Sequence, residues 1–227
     1  METEKFFDRF SGQYEVQSRY QHHFYKWIVE TIIRQIDKKK GRILDLGTGN
    51  GELSIRIALR FPESQVTGLD ISAGMMGEAK KKARKVGIKN IRFVVSSMEK
   101  MDASMADVVV SSVALHHIKN KGLVISKIYR ILPKGGKLII GDWFKPSKEY
   151  RGQIEKIRKR NPERTERFDR SWDDFVKSES KEYYENHPKE YPVSPFELKD
   201  IMKDAGFRKQ RIIKCPLPKF AVVVGIK

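Results

Sequence analysis

Three glycines at alternate positions, Gly47, Gly49 and Gly51, lie between an apolar run and a helix-like run in the stretch RILDLGTGNGELSIRIA. Where a strand turns into a helix, the amide groups of the helix N-terminus point at any ligand beyond the strand. Glycine allows a positive φ and lets a ligand approach the backbone where a Cβ would collide. The spacing is G-x-G-x-G, whereas dinucleotide sites use G-x-G-x-x-G. The stretch therefore predicts a ligand-binding turn that differs from a dinucleotide site.

An acidic residue, Asp70, ends the next strand-like run, SQVTGLD. A carboxylate at this point can accept two hydrogen bonds from a ribose 2′,3′-diol. After the third strand-like run, the stretch SSMEKMD places Met98 where an adenine could lie against it. Two further stretches follow: ADVVVSSVALHHI, a strand that would open into the site, and LPKGGKLII, a tight turn that leads into the fifth strand. Together they favour a nucleoside ligand with a compact, partly anionic portion under the glycine loop.

Alternating strand-like and helix-like runs position these stretches. The alternation predicts right-handed βαβ units in a parallel sheet that is covered on both faces. Two C-terminal strands around CPLPK are expected to close as an antiparallel hairpin, which gives a doubly wound, mostly parallel, seven-stranded α/β fold. The predicted strands are 43–46, 65–70, 91–95, 107–112, 137–141, 211–214 and 220–226. The predicted helices are 21–37, 52–61, 72–87, 119–132, 147–160, 171–185 and one capped by Ser194 and Glu197.

The composition limits the class of protein. A single cysteine, Cys215, excludes an intramolecular disulfide framework and a cysteine-only metal site, and no metal is predicted. No apolar run approaches the eighteen residues of a membrane span, and the N-terminal residues lack the apolar region of a secretory signal. These features predict a soluble, cytoplasmic protein.

Basic residues exceed acidic ones by 46 to 29, for a net charge of +17. Part of the excess is clustered in 78–92 and 145–170. Such clusters suit nucleic acid, an anionic membrane surface or an anionic small substrate. Ordinary solvated helix faces are the favoured explanation, because neither cluster has the interleaved aromatic residues of a base-stacking surface.

In their order and spacing, the five stretches from Arg42 to Ile140 resemble the class I S-adenosylmethionine-dependent methyltransferases. The similarity is greatest to small enzymes such as the ubiquinone/menaquinone C-methyltransferases. It covers about residues 5–145 and resumes at 194–227, and it implies a Rossmann-like fold with S-adenosyl-L-methionine as cofactor. The segment FFDRFSGQYE resembles the element that begins many members, although it departs from that pattern at Gly12.

The resemblance also implies roles for individual residues. The glycine loop would cradle the methionine part, Asp70 would hold the ribose, and Asp45 would orient the loop or the cofactor's ammonium group. Residues at the next two strand ends would flank the adenine and meet the methionine end, and two tyrosines would belong to a lid over the cofactor. The implied cofactor-binding residues are Tyr14, Tyr25, Asp45, Gly47, Thr48, Gly49, Gly51, Asp70, Ile71, Ser97, Met98 and Ser111.

Methyl transfer is an in-line displacement in which a hydroxyl or carbon acceptor generally needs a base. His116 and His117 are the candidates, since histidine titrates near neutrality, but a pair at this position also commonly serves packing and hydrogen bonding. Asp142 and Trp143 are predicted to shape the acceptor pocket. The expected acceptor is a small molecule, and the basic segment that covers it favours an anionic one.

One domain is expected, with no internal repeat or low-complexity linker. Residues 1–40 would form lid helices, 41–144 the cofactor-binding core, 145–192 a helical insertion on the substrate side, and 193–227 the C-terminal helix and strand pair. Two alternatives stay open: an RNA methyltransferase that uses the basic surface, and a non-catalytic protein that keeps the nucleoside pocket. The sequence leaves the oligomeric state undetermined. Against a nicotinamide dehydrogenase stand the glycine spacing and the terminal hairpin.

Overall fold

The computed structural model describes residues 2–11, 22–37, 41–101, 105–178 and 187–227. Seven strands form one sheet in the order β3-β2-β1-β4-β5-β7-β6. The first five strands are parallel to their neighbours, and β7 runs antiparallel between β5 and β6. Their bounds are β1 Arg42–Leu46, β2 Gln65–Asp70, β3 Ile91–Val95, β4 Val108–Ser112, β5 Lys137–Trp143, β6 Arg208–Lys214 and β7 Phe220–Ile226. The predicted doubly wound, mostly parallel sheet with a C-terminal hairpin is confirmed.

Eight helices lie within the described residues and connect or cover the strands. They are α1 Glu2–Phe10, α2 His23–Gln35, α3 Glu52–Arg60, α4 Ala73–Val86, α5 Lys121–Ile131, α6 Lys148–Arg160, α7 Pro162–Ser178 and α8 Pro195–Asp204. A short 3₁₀ turn, Leu115–His117, follows β4. Among the described residues, no helix has the length and apolar character needed to cross a bilayer.

The sheet has an apolar core on each face. Strand β4 is buried at every position, as expected for a central parallel strand with helices on both sides. Val109 packs into one core and its neighbours Val108 and Val110 into the other, because successive side chains of a strand point to opposite faces. The chain order reverses between β1 and β4, so a crevice is expected at the carboxyl ends of these strands.

Capping residues fix the helices beside this crevice. The Ser72 hydroxyl accepts a hydrogen bond from the amide of Met75 at the start of α4, which ends at Gly87 in the left-handed conformation. Ser194 and Glu197 form both hydrogen bonds of a capping box at the start of α8. The predicted helix starts at Ser72 and Ser194 and the predicted capping box are confirmed.

The largest correction concerns α7. The stretch NPERTERFDR was predicted to separate two helices, with the second at 171–185, but it forms the first half of a helix that begins at Pro162. Asn161 caps this helix by accepting from the amide of Arg164, and proline suits the first helical position. Residues 179–185 of the predicted helix lie outside the described part of the chain. Strand β6 also begins three residues before its predicted start, at Arg208.

Candidate active site

A cavity of about 830 Å³ lies at the carboxyl ends of the parallel strands. One part, here called the glycine-loop half, is formed by Gly47–Gly49, Asp70, Ile71 and 96–98. The other part, the aromatic half, is formed by Phe24, Trp143, Trp172, Phe175 and Phe220. A volume of this size is typical of a site for small ligands.

The three glycines of the loop have different surroundings. Gly47 has φ +70°, and a Cβ added there would lie 2.4 Å from the Ala114 Cβ and 2.7 Å from the Met98 Cε. Gly49 has φ +53°, and an added Cβ would meet no atom within 4 Å. Gly51 does not line the cavity within the described chain; it begins α3 and packs against Ala79. Only Gly49 therefore leaves room for an approaching ligand.

Main-chain hydrogen bonds hold the loop against the end of β2. The amides of Gly47 and Thr48 donate to the carbonyl oxygen of Leu69 at 2.8 and 3.0 Å. The amide of Gly49 donates to Asp70 Oδ2 at 2.8 Å, and the amide of Ser72 donates to Asp70 Oδ1 at 3.0 Å. Asp70 thus joins the glycine loop to the start of α4, a structural task that sequence reasoning missed.

The Asp70 carboxylate keeps acceptor capacity toward the cavity that it lines. Each carboxylate oxygen has about two lone-pair sites, and the hydrogen bonds from Ser72 and Gly49 use one on each oxygen. Burial raises the pKa of Asp70, and the amides of Ser72, Gly49 and Ile71 oppose that shift. Acceptor sites that these amides leave unused suit hydroxyl donors in the cavity.

Asp45 lies behind the loop and does not line the cavity as far as the structure describes it. The Ser54 hydroxyl donates to Asp45 Oδ2 at 2.7 Å, and Ser54 is also 2.8 Å from the Thr48 hydroxyl. Asp45 Oδ1 is buried and has no hydrogen-bond partner among the described residues. Burial raises the pKa of Asp45 to about 6, although the hydrogen bonds from Ser54 and Thr48 oppose that shift. Asp45 therefore supports the loop through Ser54 and Thr48.

Of the remaining residues assigned to the cofactor, four line the cavity: Tyr25, Ile71, Ser97 and Met98. Ser111 does not line the described cavity, because its hydroxyl donates to the Leu46 carbonyl oxygen at 2.8 Å inside the sheet. Its neighbour Ser112 lines the cavity instead, and the buried Ser112 hydroxyl has no partner in the described structure. Tyr14 lies outside the described residues.

His116 is buried at 4% exposure between two carboxylates. Its Nδ1 is 2.7 Å from Asp142 Oδ1, its main-chain amide donates to Asp142 Oδ2 at 3.0 Å, and its Nε2 is 3.7 Å from Glu190 Oε1. Asp142 is absent from the described cavity lining, since it is buried and also accepts from the Trp143 amide. The Asp142 carboxylate thus contacts His116 at both its ring and its main-chain amide.

His117 is half-buried and lines the cavity. Its ring centroid is 5.4 Å from that of Phe7 on α1 and 5.3 Å from that of His187. His187 Nδ1 is in turn 3.3 Å from Glu190 Oε1. Of the two candidate bases, His117 is the more accessible to a molecule in the cavity.

Sequence reasoning missed His187 and Glu190, which come from a segment without regular secondary structure. The amide of Tyr191 donates to the His116 carbonyl oxygen at 2.7 Å. The Lys121 ammonium donates to the carbonyl oxygens of Ile118 and Tyr191, and burial lowers the pKa of Lys121. These hydrogen bonds hold the 187–191 segment beside His116 and His117. No local sequence pattern indicates these hydrogen bonds.

The aromatic half is built by side chains from α2, β5, α7 and β7. Phe24 and Phe220 are buried with ring centroids 5.0 Å apart, and Trp172 lies 5.5 Å from both rings. Of the five residues of the aromatic half, the sequence had predicted only Trp143 as part of the acceptor pocket. The spacing of Phe168, Trp172 and Phe175 follows a helical period and could have revealed the apolar face of α7.

Helix α1 lies across the cavity and contributes Thr3 and Phe7 to its lining. Asp8 Oδ1 accepts from the Ser72 hydroxyl at 2.5 Å and from the Gly74 amide at 2.9 Å. A carboxylate at the N-terminus of α4 is also favoured by the helix dipole. Helix α1 is thereby attached beside Asp70.

Comparisons with known proteins agree with this arrangement. A family model described as "Methyltransferase domain" matches residues 37–206. The chain is 28% identical to the ubiquinone/menaquinone biosynthesis C-methyltransferase of Desulfotalea psychrophila over 148 residues, which is 64% of this chain and 60% of that protein. The chain thus spans about 60% of the length of the curated relatives that it matches first.

Solved structures share the fold at lower identity. A SAM-dependent methyltransferase from Aquifex aeolicus has a TM-score of 0.62 and 19% identity, covering 87% of this chain and 88% of that one. Magnesium protoporphyrin IX methyltransferase from Synechocystis PCC 6803, solved with bound SAH, has a TM-score of 0.63 and 19% identity, covering 93% of this chain and 87% of that one.

Proposed function

This chain belongs to the methyltransferase-domain family, and from that membership we propose that it is an S-adenosyl-L-methionine-dependent methyltransferase that acts on a small molecule. One observation carries the proposal: the Asp70 carboxylate lines the cavity and fixes the glycine loop at Gly49, the one loop glycine that faces open space. The names of the relatives support the reaction, and those of the structural neighbours support the cofactor.

The residues of the glycine-loop half fit this cofactor. Gly49 leaves the space that a ligand needs against the backbone, and Asp70 has acceptor sites for a ribose diol. Ile71, Ser97 and Met98 line the adjoining wall and would flank an adenine, and the unpartnered Ser112 hydroxyl would face the methionine end. When bound, the cofactor supplies a methyl group activated on a sulfonium.

The chain's own residues align the acceptor, exclude water and hold a proton. The aromatic half and Phe7 cover the cavity and limit access of water. His116 and His117 both line the cavity, but His116 is buried and held by Asp142. We propose that His117, the more exposed of the two, takes a proton from the acceptor. His116, held by Asp142, positions this wall rather than meeting the acceptor itself.

The competing hypotheses concern the acceptor. A cavity with aromatic walls supports a small molecule more than an RNA, whose bases would need an open, basic surface beside the cavity. The net charge of +17 would attract an anionic acceptor toward the chain, whereas the described cavity lining itself has four acidic residues and one lysine. A cytoplasmic location is part of the same proposal and is supported by the single, free, buried Cys215. So is the single domain with its lid, core, insertion and C-terminal parts.

Calorimetry with S-adenosylhomocysteine tests whether Asp70 binds the ligand. In Asp70→Ala the affinity should fall at least tenfold, whereas the exposed control Glu63→Gln should bind as the unchanged protein does. Because Asp70 also shapes the loop, the experiment is repeated with the 2′-deoxy analogue. If Asp70 holds the diol, the variant loses less affinity for the analogue than for the full ligand. Equal losses for both ligands would contradict a diol-binding role.

A further inference from the structure

The aromatic half presents an unusual wall to the cavity. All five rings line the cavity; Trp143, Trp172 and Phe175 are half-buried, whereas Phe24 and Phe220 are buried. Trp172 and Phe175 have ring centroids 5.5 Å apart and planes inclined at 37°. These three rings pack against the core and also line the cavity, where their accessible parts can contact another flat, apolar group.

A single cation stands at this wall. The Lys219 ammonium lies 5.2 Å from the ring centroid of Trp172 and 5.8 Å from that of Trp143. The Lys219 carbonyl oxygen accepts from the Phe144 amide at 2.7 Å, which fixes the backbone from which the side chain extends. Within the described residues, no carboxylate lies at ion-pair distance from this ammonium.

The charges around the rest of the cavity make Lys219 distinctive. Although the chain has 46 lysines and arginines, Lys219 is the only one among the described residues that line the cavity. The acidic residues of the lining are Glu52, Asp70, Glu99 and Glu190. Three histidines also line the cavity, but His116 and His187 lie beside the carboxylates of Asp142 and Glu190. A negatively charged group in the cavity would therefore be repelled by the acidic residues and attracted most strongly at Lys219.

We propose that the aromatic half binds an aromatic acceptor that carries an acidic substituent such as a carboxylate. The aromatic ring contacts Trp143, Trp172 and Phe175, and the substituent pairs with Lys219. The inference rests on the proposed function and deepens it, because it names the class of acceptor that would lie beside the methyl donor. A neutral ring lacks the ion pair, and an aliphatic acid lacks the ring contacts.

Binding of two matched probes tests the inference. The anionic probe is 2-naphthoate and the neutral one is 2-naphthamide, which has nearly the same shape. Each is titrated into the full chain with and without saturating S-adenosylhomocysteine, and binding is followed by calorimetry. The unchanged protein should bind the naphthoate at least tenfold more tightly than the naphthamide.

Variants separate charge from packing. In Lys219→Met the preference for naphthoate should disappear while naphthamide affinity stays within twofold, and the exposed control Lys203→Met should keep the preference. Trp172→Leu and Phe175→Leu should each weaken both probes at least fivefold. Unchanged S-adenosylhomocysteine affinity in these variants shows that each is folded. If either Trp172→Leu or Phe175→Leu fails to fold, the other still tests the ring contacts.

The inference is overturned if the unchanged protein binds both probes equally, if it binds neither at millimolar concentration, or if Lys219→Met keeps the preference. Failure of the proposed function looks different, since it appears as a protein that does not bind S-adenosylhomocysteine. The titrations without that compound then still decide whether Lys219 and the rings bind an aromatic anion.

Discussion

Main-chain groups shape the glycine-loop half of the cavity, whereas side chains shape the aromatic half. In the first, the amides of Gly47, Thr48 and Gly49 make the hydrogen bonds that set the loop. Its residues come from the carboxyl ends of β1, β2 and β3, which follow one another in sequence. In the second, rings from α2, β5, α7 and β7 meet although they are distant in sequence.

This difference separates what the two halves can tolerate. A loop set by main-chain hydrogen bonds and positive φ depends on backbone geometry, so a single added methyl group can disrupt it. A wall of rings depends on volume and shape, and substitutions of similar size are better tolerated. We therefore expect single substitutions to disturb binding more in the glycine-loop half than in the aromatic half.

The largest expected effect distinguishes two glycines of one loop. Gly47→Ala should lower the free energy of unfolding by about 4 kcal/mol, because the new methyl group would overlap Ala114 and the residue keeps a left-handed φ. Gly49→Ala should cost only about 1 kcal/mol, since its methyl group meets no protein atom. The measurement is urea denaturation followed by circular dichroism.

The same pair should differ in the opposite sense toward ligand. Gly49→Ala should weaken S-adenosylhomocysteine binding at least tenfold in calorimetry, because its methyl group enters the open space of the cavity. Equal stability losses in the two variants would contradict the difference in packing around the two glycines. A Gly49→Ala protein with normal affinity would show that the open space at Gly49 is not where the ligand lies.

The second prediction separates the two histidines. His116→Ala should cost about 3 kcal/mol of stability, because it leaves the buried Asp142 carboxylate without its imidazole partner. His117→Ala should change stability by less than about 1 kcal/mol, yet reduce methyl transfer by about a hundredfold if His117 takes the proton. Denaturation gives the first quantity, and formation of S-adenosylhomocysteine in metabolite extract gives the second.

The exposed His23→Ala provides the control for both measurements. A destabilised His117→Ala protein would indicate that the packing against Phe7 and His187 is structural. A stable His117→Ala protein with full turnover would remove His117 from the mechanism, and the proton would then have to reach another group of this wall.

The contrast between the halves also explains what the sequence could predict. Strands 65–70, 91–95 and 220–226 agree with prediction to the residue, because each apolar run is bounded by turn or capping residues. Asp70 follows from the same local logic, since its place at a strand end brings it to the crevice. Which side chain of a strand reaches the cavity is harder to predict, because neighbouring residues point to opposite faces of the sheet. The sequence prediction assigned Ser111 to the cavity, whereas Ser112 lines it.

The aromatic half could not be predicted in the same way. Asp142 was expected to shape the acceptor pocket, yet its hydrogen bonds to His116 bury it behind the cavity wall. Glu190 reaches the histidines only through tertiary contacts of the segment that contains it. Such contacts depend on how remote segments pack, and they leave no period or spacing in the sequence.

The third prediction concerns the buried carboxylate behind the loop. Asp45 has a pKa of about 6 in the folded protein against an ordinary value of 3.8. Its contribution to stability is therefore fully present below pH 3.8 and is lost as the pH rises through about 6. Since one pKa unit corresponds to about 1.4 kcal/mol, this contribution falls by about 2 to 3 kcal/mol.

The side chain of the Asp45→Asn variant cannot titrate. The unfolding free energy of this variant minus that of the unchanged protein should therefore increase by about 2 to 3 kcal/mol between pH 4 and pH 6.5. Urea denaturation at a series of pH values measures the difference, and Asp200→Asn, at an exposed position, should show no such trend. A pH-independent difference would mean that Asp45 is ionised throughout, with its free oxygen in contact with water.

The smallest expected effect concerns α1, which joins the two halves. Asp8→Ala removes an acceptor for the Ser72 hydroxyl and the Gly74 amide, and the loss of such a cap costs about 1 kcal/mol. Amide exchange in residues 2–11 should then accelerate about fivefold, because 1 kcal/mol corresponds to about that factor. Hydrogen–deuterium exchange measures it, with Glu2→Ala as a control on the exposed face of the helix.

The outcome bears on how the halves communicate. Phe7 on the same helix contacts His117, the proposed proton acceptor. An α1 that is held by Asp8 beside Asp70 would therefore couple occupancy of the glycine-loop half to the position of His117. In that case S-adenosylhomocysteine should slow exchange of α1 in the unchanged protein, and less so in Asp8→Ala. Unchanged exchange in the variant would instead mean that the packing of Phe6 and Phe10 suffices to hold the helix, and the two halves would then close independently.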